Sequence, residues 1–190
     1  MKHLFFLVGR PGSGKETQGR LLAEKLGYDM FSTGMKFREI IASGSQLGNK
    51  IKADYEKGLL MPTWVADFMF ENYVFNLPED KGAVFEGSGR DREQAETIEK
   101  VCAWLGRSYT VLNLEVSEDE VVRRSLARKR DATDMDESVI RNRLSEYARL
   151  THPAIQYFHS IGKCVDIKGE GTPEEIHASV MATAESVLNK

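Results

Sequence analysis

Residues 4–17 constrain this chain more than any other stretch. An uninterrupted apolar run, residues 4–8, leads into Gly9-Arg10-Pro11-Gly12-Ser13-Gly14-Lys15-Glu16-Thr17, and a helical pattern follows to about Leu26. A fully apolar strand feeding a helix is the first half of a βαβ unit, so the chain belongs with the α/β proteins. The loop fits GxxxxGK. Its glycines let successive backbone N–H groups face a phosphate, and the helix N-terminus adds its dipole. Lys15 brings a positive charge to the β- and γ-phosphates. Arg10, Pro11, Gly12, Ser13, Gly14, Lys15, Glu16 and Thr17 are therefore the candidate nucleotide-binding loop.

Glu16 stands where the usual pattern has Ser or Thr, and Thr17 follows one place later. A like charge at ~4 Å costs about 4 kcal/mol at an effective dielectric of 20. Glu16 cannot point into a nucleotide's phosphates without weakening its binding. Two readings stay open: an acid in the first helical turn, favoured by the dipole and facing solvent, or an altered donor site.

Short apolar runs recur at residues 83–85, 111–116 and 164–167, with a weaker one at 28–31. Helical patterns separate them, at residues 98–104, 121–126, 139–155 and 176–188. This alternation predicts a five-stranded parallel sheet flanked by helices in three layers. Residues 32–77 hold three helical patterns and no strand, too long for a simple crossover. Residues 124–137 are polar and read as an exposed loop. Thr172-Pro173-Glu174-Glu175 opens the last helix with an N-cap, Pro at N1 and acids in the first turn.

Composition excludes rather than assigns. The 190 residues suit one domain, and 41% hydrophobic content suffices for a core. A net charge of −3 gives no general attraction to nucleic acid or an anionic membrane. No apolar run approaches the ~20 residues of a membrane span. Cys102 and Cys164 are too few for a disulfide framework or a Cys-rich zinc site and read as cytoplasmic thiols.

The phosphate loop with Pro11, followed by Thr17-Gln18, resembles the GxPGxGKGTQ signature of adenylate kinases and related nucleoside monophosphate kinases. Ser32-Thr33-Gly34…Arg38 is similar to the family's STGDxLR, and Gly58-Leu59-Leu60-Met61-Pro62 to its GxLVPD. Phe85-Glu86-Gly87-Ser88-Gly89-Arg90…Gln94-Ala95 takes the place of LDGFPR…QA. Arg124…Arg128…Arg143-Leu144…Tyr147…Thr151…Pro153 resembles the lid arginines and the helix after them. The segment from Gly169 to Glu175, with Gly171, resembles the loop that passes the ATP adenine.

The resemblance implies a P-loop kinase domain over residues 1–190. Its core would be 1–31, 78–123 and 138–190, with an acceptor-binding insertion at about 32–77 and a short lid at about 124–137. It implies transfer of the γ-phosphoryl of MgATP to AMP, by a monomer acting on small nucleotides. Lys15, Arg90, Arg124, Arg128, Arg130 and Arg143 would be catalytic, with Arg124, Arg128 and Gly171 also on the donor. Thr33, Arg38, Leu59, Leu60, Met61, Gly87, Arg90, Gln94, Arg130 and Arg143 would bind the acceptor. Thr17 and Glu86 would hold Mg²⁺ through water.

Some positions depart from the family pattern. Glu16 replaces Gly, Met35 replaces an acid, Ser88-Gly89 replaces Phe-Pro, and Asp91 follows Arg90 where it could pair with it. Altered acceptor choice, such as UMP or CMP, or a nucleotide-binding module without efficient transfer are the alternatives these changes raise.

Overall fold

Strand β1, Leu4–Gly9, is buried along its whole length and lies at the centre of the sheet. The computed structural model describes residues 1–57, 59–128 and 137–189, with Arg128 described only in its backbone. The expected Arg130 and most of the lid lie outside these residues, as do the Arg128 side chain and Gly58. After β1 come α1 (Lys15–Leu26), β2 (Asp29–Ser32), α2 (Thr33–Ala42), α3 (Gln46–Tyr55), α4 (Thr63–Phe75) and β3 (Ala83–Glu86). They are followed by α5 (Arg92–Leu105), β4 (Tyr109–Glu115), α6 (Glu118–Arg128) and α7 (Glu137–Glu146). A π-helical turn (Tyr147–Thr151), α8 (His152–Ser160), β5 (Cys164–Lys168) and α9 (Pro173–Leu188) complete the chain.

The strands are all parallel, in the order β2-β3-β1-β4-β5, as the alternating pattern predicts. Leu4 pairs with Ala83 on one side and Tyr109 on the other. Because successive strand side chains point to opposite faces, β1 feeds two cores. Phe6 and Val8 pack with Phe70, Phe85, Ile98 and Phe158 under α4, α5 and α8. Phe5 and Leu7 pack with Leu22, Leu112 and Val180 under α1 and α9. A smaller cluster of Phe37, Ile51, Met61 and Val65 holds α2, α3 and α4 together, and Val116, Val121, Ile140 and Leu144 join α6 to α7.

Two local expectations are corrected. The pattern at 139–155 is not one α-helix: the turn Tyr147–Thr151 is π-helical, and the His152 N–H donates to the Tyr147 carbonyl. Pro153 follows at once and has no N–H for the Arg149 carbonyl, so the ladder is interrupted where the wider turn sits. The helical pattern at 121–126 holds and runs on to Arg128, so the first residues of the stretch read as loop belong to α6. Glu120 pairs with Arg124 at 2.6 Å one turn on, and Ser125 is buried. Leu126 and Ala127 are good helix formers.

Asp67 on α4 is half-buried and accepts from Thr97 Oγ1 at 3.1 Å. Burial, followed by the charges of Asp91, Glu71 and Glu93, raises its carboxyl from 3.8 to about 6 despite that hydrogen bond. A carboxyl with a raised folded-state pKa contributes stability that is full below pH 3.8 and is lost as pH rises through about 6. Asp67→Asn is therefore expected to gain in stability over the parent between pH 4 and pH 7. Urea midpoints at the two pH values check this, and a pH-independent difference would refute it.

Candidate functional site

The loop after β1 curls on three left-handed glycines, Gly9 (φ 135°), Gly12 (φ 78°) and Gly14 (φ 96°), the last preceding α1 as its N-cap. Two of them are also closely approached, Gly9 by backbone and Gly12 by a side chain. A Cβ on Gly9 would lie 2.5 Å from the Leu114 carbonyl oxygen of β4, and one on Gly12 would lie 2.9 Å from Ser125 Oγ of α6. Lys15 Nζ crosses the loop and donates to the carbonyls of Gly9 (3.0 Å) and Arg10 (2.7 Å). Arg124 braces it from α6, donating to the carbonyls of Gly169 (2.9 Å) and Ser13 (3.5 Å) while held by Glu120.

The loop forms one wall of a cleft of about 750 Å³ at the carboxyl ends of the strands. That is where an open α/β sheet offers a ligand site, beside the strand at which the chain changes direction across the sheet. Pro11, Gly12, Ser13, Gly14, Glu16 and Thr17 line it, with Gly171 and Pro173 at one end. Thr33, Arg38, Leu59, Leu60 and Met61 face it from the α2 to α4 insertion, and Glu86, Gly87 and Arg90 from the end of β3. Lys15, Arg123, Arg124 and Arg143 also line it.

The acidic residues in the cleft are paired. Glu86 is buried, accepts from Ser32 Oγ at 2.7 Å, and lies 3.8 Å from Arg90. Arg90 rests on Gly87, where an added Cβ would fall 2.7 Å from its Nη2. Glu16 does not simply face solvent. Its carboxylate reaches Arg38 at 3.4 Å, because α2 places a cation opposite the start of α1. Arg38 also donates to the Tyr55 hydroxyl at 3.4 Å, and the Arg143 guanidinium lies 5.9 Å from the centre of the Tyr55 ring. Partial burial alone would favour a neutral Arg38, but Tyr55 and Glu16 outweigh it and raise its pKa. No motif in the sequence singles out Tyr55.

Other expected residues are engaged elsewhere. The Arg10 side chain does not line the cleft. It donates to the Val116 carbonyl at 2.9 Å and stacks 5.3 Å from the Tyr147 ring centre, so only its main chain belongs to the phosphate loop. Gln94 is buried and does not line the cleft either. Its Oε1 accepts from Arg90 N (3.0 Å) and its Nε2 donates to Asp91 Oδ2 (2.9 Å). Asp91 does not pair with Arg90. It caps α5 by accepting from Gln94 N at 2.8 Å and takes a further bond from Thr63 Oγ1. The Ser88-Gly89 turn is packed in place: Thr33 and Ser88 hydroxyls meet at 3.3 Å, and left-handed Gly89 packs against Phe158 and Ile98. Thr151 Oγ1 donates to the Arg90 carbonyl at 2.8 Å and holds that turn from the other side.

A strand, a glycine cradle with its lysine, and converging arginines on a parallel sheet define a P-loop phosphotransferase. The sequence profile of the adenylate kinase family matches residues 7–163. Among curated relatives, the adenylate kinase of Corynebacterium aurimucosum is 41% identical over 174 residues, covering 91% of this chain and 94% of that protein. That of Phocaeicola vulgatus is 34% identical over 184 residues (95% and 97%), and that of Thermus thermophilus is 35% identical over 178 residues (92% and 93%). The chain belongs to the adenylate kinase family. The comparisons favour that reading over a degenerate binder or a kinase for another acceptor.

Proposed function

We propose that the chain transfers the γ-phosphoryl group of MgATP to AMP, giving two ADP. The observation that carries this is that one cleft is lined by two sets of cations: Lys15 after the phosphate loop with Arg124 of α6, and Arg38 of α2 with Arg90 after β3. The loop amides and Lys15 bind the donor phosphates, with Gly171 at the adenine end. Arg38 and Arg90 hold the acceptor phosphate. Thr33, Leu59, Leu60 and Met61 shape the acceptor pocket, and Arg143 bridges the two halves through Tyr55.

A phosphate monoester has its second pKa near ~6, so AMP enters as a dianion at neutral pH and needs no general base. An AMP phosphate oxygen forms a bond to the γ-phosphorus as the bond to the β-phosphate oxygen breaks. The shared electrons leave on ADP. Catalysis is then alignment and charge neutralisation by Lys15 and the arginines. Thr17 and Glu86 offer the hard oxygen ligands Mg²⁺ takes, directly or through water. When bound, the ion neutralises charge on the β- and γ-phosphates. Gln94 keeps a second N–H and a second lone pair beyond its bonds to Asp91 and Arg90, the groups with which it would read an acceptor base. We further propose a monomer working in the cytoplasm. The free thiols of Cys102 and Cys164 accord with a reducing compartment.

Incubating the protein with MgATP and separately with AMP, CMP, UMP and GMP tests the reading. Diphosphate should accumulate fastest with AMP. Folded protein that yields none from any acceptor would end it. Glu16 supplies a sharper prediction, since its carboxylate competes with acceptor phosphate for Arg38. A partly exposed ion pair is worth about 0.2–1 kcal/mol, so Glu16→Gln should lower KM for AMP by up to about fivefold. Initial rates at fixed MgATP measure this, and an unchanged or higher KM would show that Glu16 does not compete.

A further inference from the structure

Cys164 and Asp166 sit two residues apart on β5 and share one face of the strand. β5 lies at one edge of the sheet, and that face is met by His159 in the last turn of α8. The His159 ring nitrogen, the Cys164 sulfur and an Asp166 carboxylate oxygen all lie within 4.8 Å of one another, with His159 Nε2 3.0 Å from Asp166 Oδ1. All three residues reach the surface, His159 and Asp166 with about two-fifths of their side chains exposed.

A second observation points at the same place. Asn113, opposite Asp166 on β4, is 5% exposed and donates Nδ2 to Asp166 Oδ1 at 2.8 Å. Its Oδ1 is buried without a donor from any described residue. A buried amide spends its one satisfied bond on orienting a surface carboxylate. That is the arrangement by which an outer residue aims a metal ligand.

We propose that His159, Cys164 and Asp166 form a site for a late divalent transition-metal ion such as zinc, apart from the nucleotide cleft. One nitrogen, one sulfur and one oxygen ligand with an open fourth position suit a tetrahedral Zn²⁺. At ligand distances of about 2.0–2.3 Å, tetrahedral ligands stand roughly 3.3–3.8 Å apart, so side-chain rotation of about 1 Å closes the present cluster. The Cys164 thiol gives its proton to solvent as the sulfur bonds the ion. The ion would fasten the end of α8 to the edge strand. None of the three residues lines the cleft.

The test is a Co²⁺ and Zn²⁺ titration of chelator-treated, full-length protein without nucleotide. One equivalent of Co²⁺ should produce a thiolate-to-metal charge-transfer band, and one equivalent of Zn²⁺ should displace it. Cys164→Ser should abolish the band and Cys102→Ser should keep it. His159→Ala and Asn113→Ala should each weaken Zn²⁺ by at least ~10-fold. His159 is at an exposed helix end, so that variant decides the matter if Cys164→Ser fails to fold. No band, a band that survives Cys164→Ser, or a smaller loss in His159→Ala overturns the site.

Discussion

Lys15→Met is expected to lower the rate of phosphoryl transfer by about 10²–10³-fold, the cost of removing one preorganised donor from developing transition-state charge. The ammonium is already held within the loop, 2.7 Å from the Arg10 carbonyl and 3.0 Å from the Gly9 carbonyl. Moving from those oxygens onto a phosphate exchanges one set of charge-assisted bonds for a stronger one. Methionine keeps an unbranched apolar stem, one atom shorter, and removes the charge together with its N–H donors. The loop geometry depends on Gly9, Gly12 and Gly14, so the variant should fold normally. Single-turnover rates at saturating MgATP and AMP measure the effect, alongside an unchanged circular dichroism spectrum. A folded Lys15→Met protein within about tenfold of the parent would remove Lys15 from the chemistry.

Phe6→Ala is expected to cost about 3–5 kcal/mol of folding free energy. That is a large part of the roughly 5–15 kcal/mol that holds a protein of this kind together. Phe6 is fully buried, stacks on Phe85 at 4.7 Å, and meets Phe70 and Tyr109 edge-on at 5.9 and 5.6 Å. Those rings come from β3, α4 and β4, so no small shift of one element can close the cavity. Urea unfolding should show a lower midpoint with an unchanged slope. A loss under about 1.5 kcal/mol would mean the site collapses around the smaller residue.

The α/β class and parallel sheet were legible because buried strands carry unbroken apolar runs, and a strand, glycine loop and lysine are contiguous in the chain. Residues 32–77 were legible as three helices for the same local reason. The arginines were harder. The resemblance to the adenylate kinase motifs implied acceptor contacts for them, and Arg38 and Arg90 do line the cleft. Gln94 was placed by its offset from Arg90, and its buried amide is oriented by Asp91 and the Arg90 backbone. A motif supplies an offset along the chain and is silent about which neighbour satisfies a buried amide. Arg107 shows the same limit. It is buried and donates to the carbonyls of Leu77, Pro78 and Lys81, an anchoring role that only contacts distant in sequence reveal.

By itself the sequence determined the order of strands and helices, the phosphate loop and the identity of the cations available to it. These follow from periodicity and from short, contiguous backbone geometry. Tertiary structure alone decided what two of these charges face: Glu16 meets Arg38, and Arg10 turns to Tyr147. The reason is that an ion pair forms where two elements bring opposite charges within a few ångströms, and that distance is set by packing across the sheet. Position along the chain does not contain it.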